Sequence, residues 1–84
     1  MVKIWIVRER MEWHNCDVDD NTFAYATEEM AKKALSEIYD ETKRYLEDNE
    51  GEIESETITF TSGRIITESD VCYNIWVEEI EMFN

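Results

Sequence analysis

Glutamates occupy every second position in a short stretch of the chain, with no basic residue between them. They are Glu50, Glu52, Glu54 and Glu56. If the stretch is extended, these carboxylates share one face about 6.6 Å apart, a spacing of the order of that between neighbouring phosphates on a nucleic-acid strand. A basic groove that holds a phosphate backbone would accept such an array, and counterion release would drive association. The alternative interpretation is a solvated loop whose acids only add solubility.

Further carboxylates without a base between them lie towards the C-terminus. They are Glu68, Asp70, Glu78, Glu79 and Glu81. Together with the glutamate run they form the predicted partner-binding set. The 84 residues include 21 acids and 8 Lys or Arg, which gives a net charge of -13. Because nucleic acids and anionic membranes attract basic surfaces, this composition argues against either as a direct ligand.

A second set of oxygen ligands has the spacing of a calcium-binding loop. Positions one, three, five and twelve of that loop are filled by Asp17, Asp19, Asn21 and Glu28. Position six is Thr22, where the loop requires glycine, and the segment before it is a predicted strand, not a helix. The set resembles an EF-hand loop in ligand spacing only, so a calcium-binding module is the third hypothesis. The alternative is a polar hairpin tip.

Three soft ligands could hold zinc if the fold brought them together. They are His14, Cys16 and Cys72. The chain has no second histidine and no C-x-x-C pair, so the usual zinc spacing is missing. Two cysteines predict reduced thiols, although a Cys16–Cys72 bridge is possible if their Cα atoms lie within about 7 Å. We therefore expect neither a cofactor nor a metal.

Catalytic motifs are missing from the sequence. His14 is the only histidine, and no serine lies in a nucleophile motif. Paired carboxylates carry little information here, because among 21 acids some pair always lies at a glycosidase-like distance. No glycine-rich phosphate loop occurs. We expect a protein that is not an enzyme.

The elements that must position these residues begin with two predicted strands. Residues 2–13 include the run Ile4–Val7, which is apolar on both faces, as in a strand with two neighbours. Residues 14–21 are rich in Asp and Asn and predict a loop. Residues 22–26 alternate and predict a short strand. The two strands are expected to form a hairpin with a long acidic tip.

A helix is predicted from Thr27 to Asp48. Thr27 is a suitable N-cap, apolar residues recur at spacings of three and four, and Gly51 is a stop signal. The helix has seven acids and four bases, a net charge of -3. We interpret its outer face as ordinary, nearly self-neutralised surface.

Three more strands are predicted after the helix. Ser62 and Gly63 predict a tight turn between two short strands, and residues 68–70 predict a second turn. The last strand covers residues 71–82. Its apolar residues change parity near Glu78, which predicts either a bulge or a strand that is apolar on both faces.

These elements predict one α+β domain over residues 1–84, in the order ββαβββ. An antiparallel sheet of four to five strands would carry the helix on one face. Trp5, Trp13 and Trp76 cannot all lie beneath one helix. Some aromatic surface should therefore remain on the far side of the sheet, either as a dimer or partner face or simply because tryptophan is rarely fully buried.

The chain resembles small acidic proteins of phages and prophages. The resemblance rests on the strand KIWIV (residues 3–7), on FAYATEEMAKKAL (residues 23–35), where a strand runs into a T-E-E-x-A-K-x-A helix, and on YNIWVEEIE (residues 73–81). In size and charge the chain is similar to the DNA-mimicking inhibitors among such proteins, of the anti-CRISPR and anti-restriction types. The resemblance implies a partner that binds nucleic acid, and it assigns no binding residue.

The leading hypothesis is a non-enzymatic acidic binding protein that mimics nucleic acid and inhibits a basic nucleic-acid-handling protein. The alternative is a small structural or oligomerising domain without a ligand, such as a homodimer. No apolar run approaches 18 residues, and the apolar N-terminal stretch is too short for a signal peptide. We therefore expect a cytoplasmic protein, in the host cytoplasm if a phage encodes it.

Overall fold

The computed structural model describes residues 2–13 and 16–82. Their elements are β1 (Val2–Glu12), β2 (Val18–Tyr25), α1 (Glu28–Asn49), β3 (Ile53–Ile58), β4 (Ser62–Thr67) and β5 (Cys72–Met82). The strands form one antiparallel sheet in the order β2-β1-β5-β4-β3, and α1 packs across one face. The predicted α+β fold and element order are confirmed.

The first and last strands of the chain lie side by side in the sheet. β1 and β5 pair in unbroken register, from Val2 opposite Met82 to Glu12 opposite Cys72. The sheet therefore has no bulge near Glu78, and the change of parity there marks a strand that is apolar on both faces. Odd-numbered residues of both strands lie on the face that carries α1, and Val7, Tyr73 and Ile75 among them are buried.

The even-numbered residues of β1 and β5 lie on the opposite face of the sheet, which we call the open face. No described element covers this face. Ile6 lies there outside the main core cluster, and Ile4, Trp76 and Ile80 are only partly buried. Of the three tryptophans, Trp76 lies on this face, whereas Trp5 and Trp13 pack against the core cluster on the helix side. The expected aromatic surface on the far side of the sheet is therefore limited to Trp76.

Helix α1 forms where its capping signals predict. The Thr27 hydroxyl accepts a hydrogen bond of 3.2 Å from the backbone N–H of Met30. Ala31, Leu35, Tyr39 and Leu46 form the buried stripe against the sheet. At the other end, Glu50 caps the helix through a 2.8 Å hydrogen bond from its backbone N–H to the Leu46 carbonyl. Gly51 then reverses the chain with a φ of +85°.

The β3–β4 turn does not lie at Ser62 and Gly63, as the sequence predicted. Residues 59–61 form the turn, because the Thr59 hydroxyl accepts hydrogen bonds from the backbone N–H groups of Thr61 and Ser62. Phe60 stands at the tip with 86 % of its surface exposed. Gly63 lies within β4 because the ring of Tyr39 packs against it. A Cβ atom at Gly63 would lie 2.7 Å from Tyr39 Cδ2.

The loop predicted over residues 14–21 is shorter in the structure, since β2 begins at Val18 and not at Thr22. The polar residues Asp19 and Asn21 pair with β1 through Met11 and Glu9. An edge strand that is exposed along most of its length needs no apolar face, so backbone pairing outweighs the turn preference of Asp and Asn.

The structure also bears on disulfide bonding and on whether a helix could cross a membrane. Cys16 and Cys72 are both free thiols, as expected. Within the described part of the chain, no helix combines the length and the apolar character that crossing a membrane needs.

We predict that Gly63→Ala destabilises the fold by about 1–3 kcal/mol, the usual range for overpacking. The added methyl group would press on Tyr39, whose ring is 3 % exposed and cannot swing into solvent without leaving the core. The midpoint of urea unfolding measures the effect. An unchanged midpoint would show that the contact between the ring and Gly63 is not tight.

A candidate protein-binding surface

Because of the direction in which each strand runs, the ends of three elements and the starts of three others lie at one end of the sheet. In an antiparallel sheet, β1 and β4 end where β2, β3 and β5 begin, and α1 also ends there, beside β3. Eleven carboxylates lie in the segments that meet at this end. They are Glu12, Asp17, Asp19, Asp20, Glu47, Asp48, Glu50, Glu52, Glu54, Glu68 and Asp70. We call this set the acidic end.

No lysine or arginine occurs within the segments that form the acidic end, residues 12–20, 45–54 and 67–72. The opposite end of the sheet differs. It carries Lys3, Lys32 and Lys33 with four acids, and two of these bases are paired: Lys3 with Glu79 at 2.9 Å and Lys32 with Glu28 at 2.6 Å. An 11-residue strand is about 37 Å long, so the 46 Å length of the molecule lies along the strands and separates the two ends.

The ion pairs at the opposite end also shift the proton affinities of their members. The hydrogen bond from Lys32 lowers the pKa of Glu28, and the hydrogen bond and charge of Glu79 raise the pKa of Lys3. These charges are locally compensated, so this end offers little net attraction for a basic partner. The net charge of -13 is therefore concentrated at the acidic end.

A groove between the end of α1 and the start of β3 belongs to the acidic end. Five glutamates line it, together with Lys43, and they are Glu47, Glu52, Glu54, Glu56 and Glu68. Four of them belong to the predicted partner-binding set. Glu47 does not, because the sequence interpretation treated the helix as one self-neutralised surface. The missed signal is that its bases stop at Arg44, one turn before its end.

The predicted row of four equally spaced carboxylates is wrong. Glu50 caps α1, and its carboxylate accepts a 3.2 Å hydrogen bond from the Ser69 hydroxyl. Within β3, Ile53 pairs with Thr67 and Ser55 with Ile66, so Glu54 has no partner in β4 and forms a bulge. The period of two is lost at this bulge. The acids still lie close together, because two elements and a turn converge at the groove.

Glu56 differs from the other groove acids because the fold uses it. Its carboxylate accepts hydrogen bonds of 3.0 Å from the Tyr39 hydroxyl and 3.0 Å from Lys43 Nζ. These two contacts, the one from Lys43 first, hold the pKa of Glu56 below its ordinary value. Burial and the contact with Glu56 raise the pKa of Tyr39. Glu56 thus joins β3 to α1 and is a structural residue more than a binding residue.

The remaining members of the predicted set are divided between three places. Asp70 lies in the β4–β5 turn at the acidic end, with a φ of 66°. Glu78 lies on the open face, where it accepts hydrogen bonds from Trp76 and Arg8 that lower its pKa. Glu79 and Glu81 lie at the opposite end. The structure therefore separates Glu78, Glu79 and Glu81 from the groove.

The acids at the end of α1 lie where a helix disfavours them. Carbonyl groups give the C-terminus of a helix a partial negative charge, which attracts bases and repels acids. The last turn of α1 contains no base and includes Glu47 and Asp48, and Glu50 follows at the cap. Glu28 and Glu29 stand in the favourable first turn. The acidic end therefore lowers the stability of the helix that carries it.

The proposed calcium ligands do not form a site. Asp19 and Asn21 lie on β2, beside a cleft between α1 and the sheet. Asp19 accepts a 2.7 Å hydrogen bond from the Trp13 indole, and Asn21 donates one of 3.0 Å to Glu9. Glu28, paired with Lys32, lies at the opposite end of β2. Across residues 2–13 and 16–82, no three His, Cys, Asp or Glu side chains are arranged to hold a metal ion.

The proposed zinc ligand His14 lies outside the described residues. Its companions are an exposed thiol at Cys16 and a partly buried one at Cys72.

Comparison with protein-family models, with curated proteins and with solved structures gives no match. The functional argument therefore depends on the geometry and charge of this chain.

We predict opposite effects of neutralising one acid at each end of α1. Asp48→Asn should raise the free energy of unfolding and Glu29→Gln should lower it, each by about 0.3–1 kcal/mol at low salt, because the helix dipole has opposite signs there. Both substitutions remove one negative charge and barely change helix propensity. Urea unfolding of the two variants measures the difference. Shifts in the same direction would show that net charge and not position decides stability.

A second prediction concerns how acidic pH changes the contribution of Glu56 to the stability of the fold. Because the folded protein holds the pKa of Glu56 below its reference value of 4.5, the ionised form stabilises the fold above that value, and the contribution disappears as the pH falls through the lowered pKa. Glu56→Gln should be less stable than the wild type at pH 7, and the difference should narrow below about pH 4.5. Thermal unfolding from pH 7 to 3 tests this.

Glu54→Gln is the matched control, since Glu54 lies on the bulge of the same strand. It should not be less stable than the wild type at pH 7, because both hydrogen bonds of Glu56 remain in this variant. A difference for Glu56→Gln that stays constant with pH would mean that the contacts with Tyr39 and Lys43 do not depend on ionisation.

Proposed function

We propose that this chain is a non-enzymatic binding protein whose acidic end occupies the nucleic-acid site of a basic protein. This proposal rests on the concentration of eleven carboxylates at one end of a folded domain, in segments that contain no lysine or arginine. A basic surface that binds phosphates is the complement of this charge. Occupation of that surface would inhibit the partner by excluding its nucleic acid.

The charge density of the acidic end supports mimicry of a phosphate backbone. Duplex DNA carries about one charge per 1.7 Å of axis, so a length of 23 Å carries roughly 13 charges. The molecule is 23 Å wide, and the acidic end carries eleven carboxylates. Carboxylates on adjacent strands or two residues apart are about 5–7 Å from one another. A site built to neutralise phosphates would therefore meet a similar number of charges over a similar length.

The position of the acids favours binding over solubility as their role. Acids that only kept a protein soluble could lie on any exposed position. Here several of them repel the C-terminus of α1 and one another, and both effects lower stability. Charges that destabilise the fold are understandable if a basic partner neutralises them.

The resemblance to small acidic phage and prophage proteins suggests the setting. Under this proposal the protein would be an inhibitor of the anti-defence type, and its partner would be a nucleic-acid-handling protein met in the cytoplasm of a host cell. The chemistry that the acidic end requires of this partner is a basic groove that normally contacts phosphates.

The experiment compares two variants that have the same net charge. The acidic-end variant is Asp48→Asn, Glu52→Gln and Glu54→Gln, and the control variant is Glu29→Gln, Glu79→Gln and Glu81→Gln at the opposite end. Both leave Glu56 and its contacts intact. The wild type and both variants are immobilised and exposed to bacterial lysate at 50 mM salt, and bound proteins are eluted with duplex DNA or with salt.

We expect the wild type and the control variant to retain a nucleic-acid-binding protein that duplex DNA displaces. The acidic-end variant should retain at least tenfold less of it, and for the purified partner the decline of affinity with salt should be less steep, because fewer counterions are released. If both variants bind equally, the acidic end is not the binding surface. If DNA displaces nothing that the wild type holds, mimicry is wrong.

A further inference from the structure

The open face is uncovered, and its apolar residues are concentrated away from the acidic end. Val2, Ile4 and Ile6 follow one another on the first half of β1, and Ile80 of β5 lies opposite Ile4. Ala24 of β2 pairs with Ile6 and extends the patch sideways. Trp76 completes it beside Arg8. We call these six residues the open-face patch.

The polar groups around the open-face patch already have partners within the chain. Arg8 Nε and the Trp76 indole N–H both donate to the Glu78 carboxylate, at 3.0 and 2.8 Å. Further along β1, Arg10 Nε lies 3.3 Å from Glu12 Oε1. Covering this face would therefore leave these groups with the hydrogen-bond partners that they already have.

The charge of the open face also differs from that of the whole molecule. By strand parity and register it carries three arginines and three acids, which are Arg8, Arg10, Arg64, Glu12, Asp20 and Glu78. Its net charge is therefore zero in a chain of net charge -13. A highly basic partner would be attracted to the acidic end and not to this neutral surface.

We propose that the open face binds a second copy of this chain, so that two sheets stack face to face with a helix on each outer side. Symmetric pairs use the same patch twice, which requires a surface that is self-complementary in charge and shape. A neutral sheet face with an apolar patch on its two central strands meets the requirement for charge. A two-fold axis across the strands near Ile6 lays the open-face patch on its copy and directs the two acidic ends to opposite poles.

The available area is sufficient for such a dimer. The strands contain 42 residues, and each covers about 16 Å² of sheet, so the face measures roughly 670 Å². Two copies would bury up to roughly 1,300 Å², at the lower end of the range for stable interfaces of about 1,200–2,000 Å². A chain of 84 residues that covers only one face of its sheet gains particularly from a second layer.

This inference does not depend on the proposed function. The two can be tested separately because salt should have opposite effects on dimer affinity and on binding of a basic partner. Apolar faces bring the subunits together while two chains of net charge -13 repel each other, so the dimer should become tighter as salt increases. Binding of a basic partner at the acidic end should instead weaken with salt. Failure of one proposal therefore leaves the other open to its own test.

The experiment is sedimentation equilibrium of the wild type, Ile80→Lys and Ile58→Lys at 50 and 500 mM salt. Both substitutions add one positive charge to a strand residue. Ile80 is in the open-face patch, whereas Ile58 is 48 % exposed on the helix side of β3, opposite Gly63. We expect dimers for the wild type and Ile58→Lys, at least fivefold tighter at high salt, and monomers for Ile80→Lys. Far-UV circular dichroism checks that each variant is folded.

A wild type that is monomeric at both salt concentrations overturns the inference. So does a dimer that Ile58→Lys abolishes and Ile80→Lys leaves intact, because the interface would then lie near Phe60 and the β3–β4 turn. If Ile80→Lys fails to fold, Val2→Lys replaces it. Val2 lies at the start of β1 and is 46 % exposed, so its replacement does not disturb the core.

Discussion

The pairing of β1 with β5 holds the two halves of the sheet together. It joins the first and last strands over eleven residues. Without it, the β1–β2 hairpin and the three-stranded unit of β3, β4 and β5 would not form one sheet. Its stability comes from the residues that face α1. Val7, Tyr73 and Ile75 are each at most 1 % exposed and pack with Leu35 of the helix. The Tyr73 hydroxyl adds a 2.6 Å hydrogen bond to Glu9 on the neighbouring strand.

This pairing also decides where the charge of the protein lies. Once β1 and β5 are antiparallel neighbours, the remaining short connections bring acids from distant parts of the sequence to the same end of the sheet. Asp19 and Glu54 are 35 positions apart and Glu68 is another 14 away, yet all three belong to the acidic end. The repulsion between them is a cost that the core must offset. The packing beneath α1 is therefore what allows so concentrated a charge to exist on so small a domain.

The two surfaces proposed for binding follow from the same one-sided architecture. A single helix covers one face of the sheet and leaves the other open, while the connections and the end of the helix collect the acids at one edge. The result is a neutral apolar face beside a strongly charged end. Because the acidic end and the open face lie on different parts of the molecule, the two surfaces can act together without competing. In the proposed dimer, the two acidic ends would stand at opposite poles, one for each basic partner.

The amino-acid sequence was sufficient to predict the element types and their order. Local signals were sufficient for this: the Thr27 cap, the spacing of Leu35 and Tyr39, and the alternation in the strands depend on near neighbours. It also determined the net charge. The length of β2, the place of Gly63 within β4 and the grouping of the acids depend instead on tertiary contacts. Gly63 lies in a strand because a ring from α1 covers it, and Glu54 stands on a bulge because β3 must match β4. These outcomes depend on contacts between residues far apart in the chain, which no local pattern encodes.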